Sequence, residues 1–134
     1  MSAPSDRIVE LLAVARETRA RAYAPYSTFH VGAAVLAGGR VFRGANIENA
    51  SYPLSVCAER NAVAAAVIAG ERQIDAVAVV ADGDDPTPPC GGCRQVLNEF
   101  GPDMLVVCES SSGRRAEWRL SEILPHAFGP THLE

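Results

Sequence analysis

A chain of 134 residues has the usual size of one folded domain, and 48% hydrophobic against 21% charged residues is too apolar for disorder. All twelve basic residues are arginine, which excludes a phosphate-loop lysine, a Schiff base and a lysine general base. Sixteen acids bring the net charge to −4, a poor match to a polynucleotide backbone or an anionic membrane.

The opening MSAPSDRIVE has no apolar core of a signal peptide, and no apolar stretch approaches the ~20 residues of a membrane span. A cytoplasmic protein is expected, in which Cys57, Cys90, Cys93 and Cys108 point to metal binding or catalysis more than to disulfides. Ser5 or Asp6 is placed to cap a first helix, with Ile8, Leu11, Leu12 and Ala15 on one apolar face, running to about Arg21 before Pro25. Phe29, Val31, Ala33 and Val35 alternate with smaller or polar neighbours and predict a strand. Gly38-Gly39 is a two-residue hairpin signal leading into a second strand from Arg40 to about Asn46. Glu48 to Val56 reads as irregular loop. Ala58 to Ala69, rich in alanine and stopped by Gly70, predicts a helix buried on several sides. Ala76 to Ala81 is a continuous apolar run that suits a central strand covered on both faces. A short helix from Cys93 to Phe100, strands at Met104–Cys108 and Ala116–Leu120, and a last helical turn at Ser121–Leu124 complete the series. Helices alternating with strands imply one sheet with helices on both faces.

The chemistry gathers at two predicted helix starts, Cys57-Ala58-Glu59-Arg60 and Pro89-Cys90-Gly91-Gly92-Cys93. A C-x-x-C pair at a helix N-terminus puts two sulfurs on one turn, where amide N–H groups and the helix dipole favour the thiolate that binds zinc. On spacing alone a redox pair stays open. Cys57 adds a third thiol at a helix start, and three protein ligands with an open fourth position are characteristic of catalytic zinc. Glu59 does not share the direction of Cys57 on a helix, so it belongs beside the metal rather than on it, in a position suited to proton exchange. Arg60 is the natural counter-charge to three thiolates, although a surface arginine fits the same letters.

These motifs resemble the cytidine deaminases of the small, homotetrameric, three-cysteine zinc type. The resemblance extends over almost the whole chain: Pro25-Tyr26-Ser27-x-Phe29-x-Val31-Gly32-Ala33-Ala34, Asn46-x-Glu48-Asn49-Ala50-Ser51-Tyr52, the two cysteine motifs, and Leu124-Pro125-x-Ala127-Phe128 occur in the family's order. It implies residues 1–134 as a single domain, a three-layer α/β/α sandwich around one mixed five-stranded sheet. It further implies one zinc ion per chain on Cys57, Cys90 and Cys93, with Glu59 as catalytic acid and base and Arg60 behind the ligands. Phe29 would pack on a pyrimidine ring, Ala58 would line the site, and Asn46 and Glu48 would bind sugar hydroxyls. Ala50, Tyr52 and Phe128 would come from neighbouring subunits of a homotetramer. His30, His126 and His132 receive no role.

The implied function is hydrolytic deamination of cytidine and 2'-deoxycytidine to uridine and 2'-deoxyuridine plus ammonia, in pyrimidine salvage. The expected partners are a small nucleoside and further copies of the chain, without nucleic acid or membrane. Three rivals stay open at this stage. One is a structural zinc module with Cys108 as fourth ligand, although a cysteine ending an apolar strand more often serves as a small hydrophobe. Another is a polynucleotide-editing deaminase, which the acidic balance disfavours. The third is a blasticidin-S-type aminonucleoside deaminase using the same zinc mechanism, against which Asn46, Glu48, Asn49 and Phe128 weigh.

Overall fold

The structure is a computed structural model describing residues 3–134. Helix α1 (Ile8–Arg19) leads to the hairpin β1 (Val31–Ala37) and β2 (Arg40–Ala45), then α2 (Ala58–Ile68), β3 (Ala76–Ala81) and α3 (Gly91–Phe100). Strands β4 (Leu105–Ser110) and β5 (Arg115–Arg119) and a one-turn α4 (Leu120–Ile123) finish the fold. The five strands form one mixed sheet in the order β2-β1-β3-β4-β5, with β3 and β4 parallel and every other pair antiparallel.

Period-two alternation divides the sheet between two cores. Ala34, Leu36, Ala78, Val80 and Val107 face α1, while Ala33, Val35, Val77, Val79, Val106 and Cys108 face α2 and α3. Strands sealed on both faces read as unbroken apolar runs, and β3 at the centre is buried along its whole length. The expected α/β/α layering is therefore present. Both hairpin glycines have positive φ, 58° at Gly38 and 77° at Gly39, as a type I′ turn demands.

Several boundaries differ from the sequence expectation. A 3-10 turn over Pro4–Arg7 precedes α1, and Asp6 accepts from the Ala3 amide rather than capping the helix. α1 ends at Arg19, and β1 begins two residues beyond Phe29. α3 starts at Gly91 because Cys90 is its N-cap, its sulfur accepting from the Cys93 amide. β4 runs on to Ser110 because β5 pairs with it as far as Glu109. Among the described residues only one face of α2 is covered: Ala58, Ala62, Val63 and Ala66 are buried, whereas Ile68 is 88% exposed. The segment expected to be loop holds a 3-10 turn at Tyr52–Leu54, and its last residue, Val56, forms a single bridge with Ile47, which also bridges Tyr23. Among the described residues no helix is long and apolar enough to cross a membrane.

Candidate active site

Two strand ends deliver the cysteines. β2 and β3 each run antiparallel to β1, which lies between them, so their C-terminal ends reach the same edge of the sheet. The helix following each strand therefore starts there, with Cys57 as N-cap of α2 and Cys90 as N-cap of α3. Gly44 lets α2 lie directly on β2, since a Cβ at that position would overlap the Ala58 carbonyl and the Ala62 amide. Asn61 fixes the same contact by donating to the Ala45 carbonyl at 2.8 Å. Arg94 ties the Cys90 turn down, donating to the Pro89 carbonyl and to the Ile123 carbonyl, each at 2.8 Å.

The three sulfurs all lie within 4.8 Å of one another, with Cys57 Sγ 4.0 Å from Cys90 Sγ and Cys90 Sγ 3.2 Å from Cys93 Sγ. Tetrahedral zinc with Zn–S bonds of about 2.3 Å needs sulfurs about 3.8 Å apart, so the donor set fits one such ion. Cys93 is fully buried and Cys90 exposed, which leaves the cluster open on one side. All four cysteines are free thiols. Cys108 is buried in the core and does not join the sulfur group among the described residues, so a four-cysteine site is not formed.

Charge is distributed unevenly over the cluster. A hydrogen bond from Cys93, reinforced by Arg60, pulls the Cys57 thiol down to about 5, whereas the same bond together with burial pushes Cys93 upward. Arg60 Nη2 approaches Cys57 Sγ at 3.5 Å and the Ser55 carbonyl at 3.4 Å. Its Nε is buried with no hydrogen-bond partner among the described residues. Burial raises the Glu59 carboxyl to about 7, with the Cys57 thiolate adding to the rise. Burial likewise pushes Cys108 up to about 12, keeping it an inert thiol.

Phe29, Asn46, Cys57, Ala58, Glu59 and Cys90 share the wall of one cavity of about 210 Å³. Val31, Val79, Thr87 and Pro88 complete it, and of these only Val31 falls in a motif. The only sequence signal for Thr87 and Pro88 is their place just before the C-x-x-C motif. Three larger hollows among the described residues include no cysteine. Glu48 does not line the cavity: its carboxylate accepts from the Tyr26 and Ser27 amides and from the Ser27 hydroxyl. Ala50, Tyr52 and Phe128 are also absent from it and lie exposed. Phe128 stacks on His132 with ring centroids 5.2 Å apart, and its carbonyl accepts from Gln95 and Asn98.

Residues 5–109 match the model of the cytidine and deoxycytidylate deaminase zinc-binding region. A cytidine deaminase of Halalkalibacterium halodurans is 52% identical over 120 residues, which cover 88% of this chain and 91% of that one. One from Mycobacterium tuberculosis is 44% identical over 116 residues, covering 86% and 84%. The crystal structure of a cytidine deaminase from Burkholderia pseudomallei superposes with a TM-score of 0.86 at 45% identity, over 90% of this chain and 98% of that one. That from Mycobacterium leprae gives 0.75 at 35% identity, over 93% and 100%. With the sulfur cluster, the buried carboxylate and these matches in agreement, the chain belongs to the cytidine and deoxycytidylate deaminase zinc-binding family.

Proposed function

We infer that this chain is a cytidine deaminase, hydrolysing cytidine and 2'-deoxycytidine to uridine and 2'-deoxyuridine with release of ammonia. The observation that carries the reading is a buried carboxylate, Glu59, in one cavity with two of three converging thiols and an aromatic ring. Cys57, Cys90 and Cys93 are the residues proposed to hold zinc, which when bound supplies the Lewis acidity that makes water a nucleophile at neutral pH. Three thiolates and a divalent cation sum to a net charge of −1. The loaded site thus acts on Glu59 with the same sign as the Cys57 thiolate, and Arg60 offsets it.

Glu59 is the proton carrier in this reading. Its carboxyl, raised toward neutrality, takes a proton and gives it up with little bias either way. Glu59 takes a proton from the attacking water and delivers it to ring N3, making C4 electrophilic. The water oxygen bonds C4, and its remaining proton passes through Glu59 to the 4-amino group, which leaves as ammonia as the C4–N bond breaks. One water is consumed and the carboxylate is regenerated. Phe29 is the proposed face for the ring, with Ala58 beneath it. Asn46 and Glu48 are proposed to meet the sugar hydroxyls. A carboxylate has about four acceptor positions, and the Glu48 contacts within the chain are three.

We further propose that residues 1–134 form a single catalytic unit that assembles as a cytoplasmic homotetramer serving pyrimidine salvage, with Ala50, Tyr52 and Phe128 completing a neighbour's pocket. Support comes from the exposure of all three and from the apolar, uncovered side of α2. Cytidine, 2'-deoxycytidine, cytosine and blasticidin S assayed side by side by ultraviolet absorbance test the reading. Turnover of the first two is expected, and turnover of blasticidin S alone would overturn it.

A further inference from the structure

We propose that Asp82 is a positioning residue for the pyrimidine ring, holding the segment that presents Phe29 against the segment that presents Cys90. It rests on the reading of Phe29 as the ring's support.

The segment Phe29–Val31 enters β1 held by side chains. The Phe29 amide donates to Ser27 Oγ at 3.0 Å, and the Phe29 carbonyl accepts from Asn46 Nδ2 at 2.8 Å. The Val31 amide donates to Asn46 Oδ1 at 2.8 Å. Between them, the His30 amide donates to Asp82 Oδ2 at 2.8 Å, while the Asp82 amide donates back to the His30 carbonyl at 3.1 Å. Val31 pairs with Ala81 in the β1–β3 ladder, so His30 and Asp82 stand at the next rung. There the carboxylate receives the amide that a backbone carbonyl would receive in a continuing strand, and the chain after Asp82 is free to leave the sheet. It leads on to Thr87, Pro88 and Cys90, which line the same cavity as Phe29. One side chain thereby joins two segments that line the pocket without lining it itself.

The carboxylate is itself held. His30 Nδ1 lies 2.8 Å from Oδ2, and Arg19 Nη1 of α1 lies 3.6 Å from Oδ1. Burial works against the Asp82 charge, but the His30 hydrogen bonds and the Arg19 cation outweigh it and keep the carboxyl below its ordinary value. Thr28, immediately before Phe29, has φ of 58°, an unfavourable left-handed conformation for a β-branched residue. Such a conformation persists where the surroundings over-determine the backbone, and it sits next to the aromatic ring whose placement matters.

Steady-state kinetics of the zinc-loaded enzyme with cytidine test the assignment, using Asp82→Ala, Asp82→Asn and Phe29→Ala in parallel. Asp82→Ala should raise KM about tenfold, while kcat stays within about threefold and zinc stays at about one per chain, because Glu59 is untouched and Arg94 ties the Cys90 turn down independently of Asp82. Asp82→Asn retains an acceptor for the His30 amide and should return KM to within about threefold of the parent. If Asp82→Ala does not fold, Asp82→Ser takes its place, being polar but too short to reach the amide. An unchanged KM in the truncated variant beside a raised KM in Phe29→Ala overturns the role of Asp82 alone. An unchanged KM in Phe29→Ala overturns the reading of the pocket. A fall in kcat and melting temperature at constant KM, or loss of zinc, reduces Asp82 to a fold residue and also overturns the proposal.

Discussion

At position 59 a carboxylate is 6% exposed on a helix whose other buried residues are Ala58, Ala62, Val63 and Ala66. An unpaired buried carboxylate costs several kcal/mol when ionised, and it relieves that cost by taking a proton. Arg60, the cation nearest in sequence, relieves it only in part: its guanidinium donates to the Cys57 sulfur, and burial outweighs its pull on Glu59. The same helix turn thus keeps one charge on sulfur and leaves Glu59 poised between its two states near about 7. Glutamine at this position keeps the shape and removes the proton. Glu59→Gln should therefore retain zinc at about one per chain while kcat falls by about 10²–10⁴-fold, the usual contribution of a positioned acid or base. Zinc by atomic absorption and turnover of cytidine, measured on one preparation, check this; near-normal turnover would give the proton to another group. Cys108 carries the opposite lesson. It has the same chemistry as the three clustered thiols, but on β4 it points into the core and works as a small hydrophobe.

Elements matter here through how closely they approach. α2 lies on β2 at Gly44, so Gly44→Ala should push the helix outward, at about 1–3 kcal/mol of stability, the range for overpacking. Cys57 and Glu59 sit on the first turn and would travel with it. Activity should then fall by more than the stability loss explains, since a displacement of about 1 Å at a reacting centre can cost about 10²-fold. Urea unfolding and kcat/KM on the same variant separate the two effects. On the other face, Glu109 of β4 is buried between Arg16 of α1 and Arg115 of β5, at 2.6 and 3.2 Å. Burial raises its carboxyl, but the two arginines outweigh burial and hold it below its ordinary 4.5. A depressed folded value means this stabilisation is complete above pH 4.5 and disappears as pH falls through the lower folded value. Glu109→Gln should therefore be less stable than the parent at neutral pH, the gap narrowing below pH 4.5 in a series of urea melts. Strand and helix identities, the hairpin and the sulfur-bearing helix starts were legible because each depends on local pattern. The start of β1 was not, because Asn46 and Asp82 come from other elements to take up the hydrogen bonds of residues 29–31. Thr87 and Pro88 were hidden for a related reason: no periodicity marks a loop that becomes a wall only when two strands are neighbours.

For the whole molecule the question is what closes the site. One chain offers a cavity of about 210 Å³, below the roughly 300–1,000 Å³ of pockets that enclose a drug-sized ligand. Tyr52 and Phe128 stand 68% and 58% exposed, and Leu54 and Ile68 are exposed as well. In the proposed shared site Tyr52 and Phe128 enter a neighbour's pocket, and a symmetric assembly of that kind would bury them and add to its wall. Mixing two impaired variants distinguishes a shared site from a self-contained one. Glu59→Gln lacks the proton carrier but keeps Phe128, and Phe128→Ala lacks the ring but keeps Glu59. Dissociated, mixed in equal amounts and reassembled, they should form hybrids in which about one site in four receives Glu59 from one chain and Phe128 from another. Activity at low cytidine should then rise well above the average of the two parents. A mixture that never exceeds that average, or a fully active monomer in sedimentation, would mean that each chain closes its own pocket. The exposed aromatic residues would then need a different explanation.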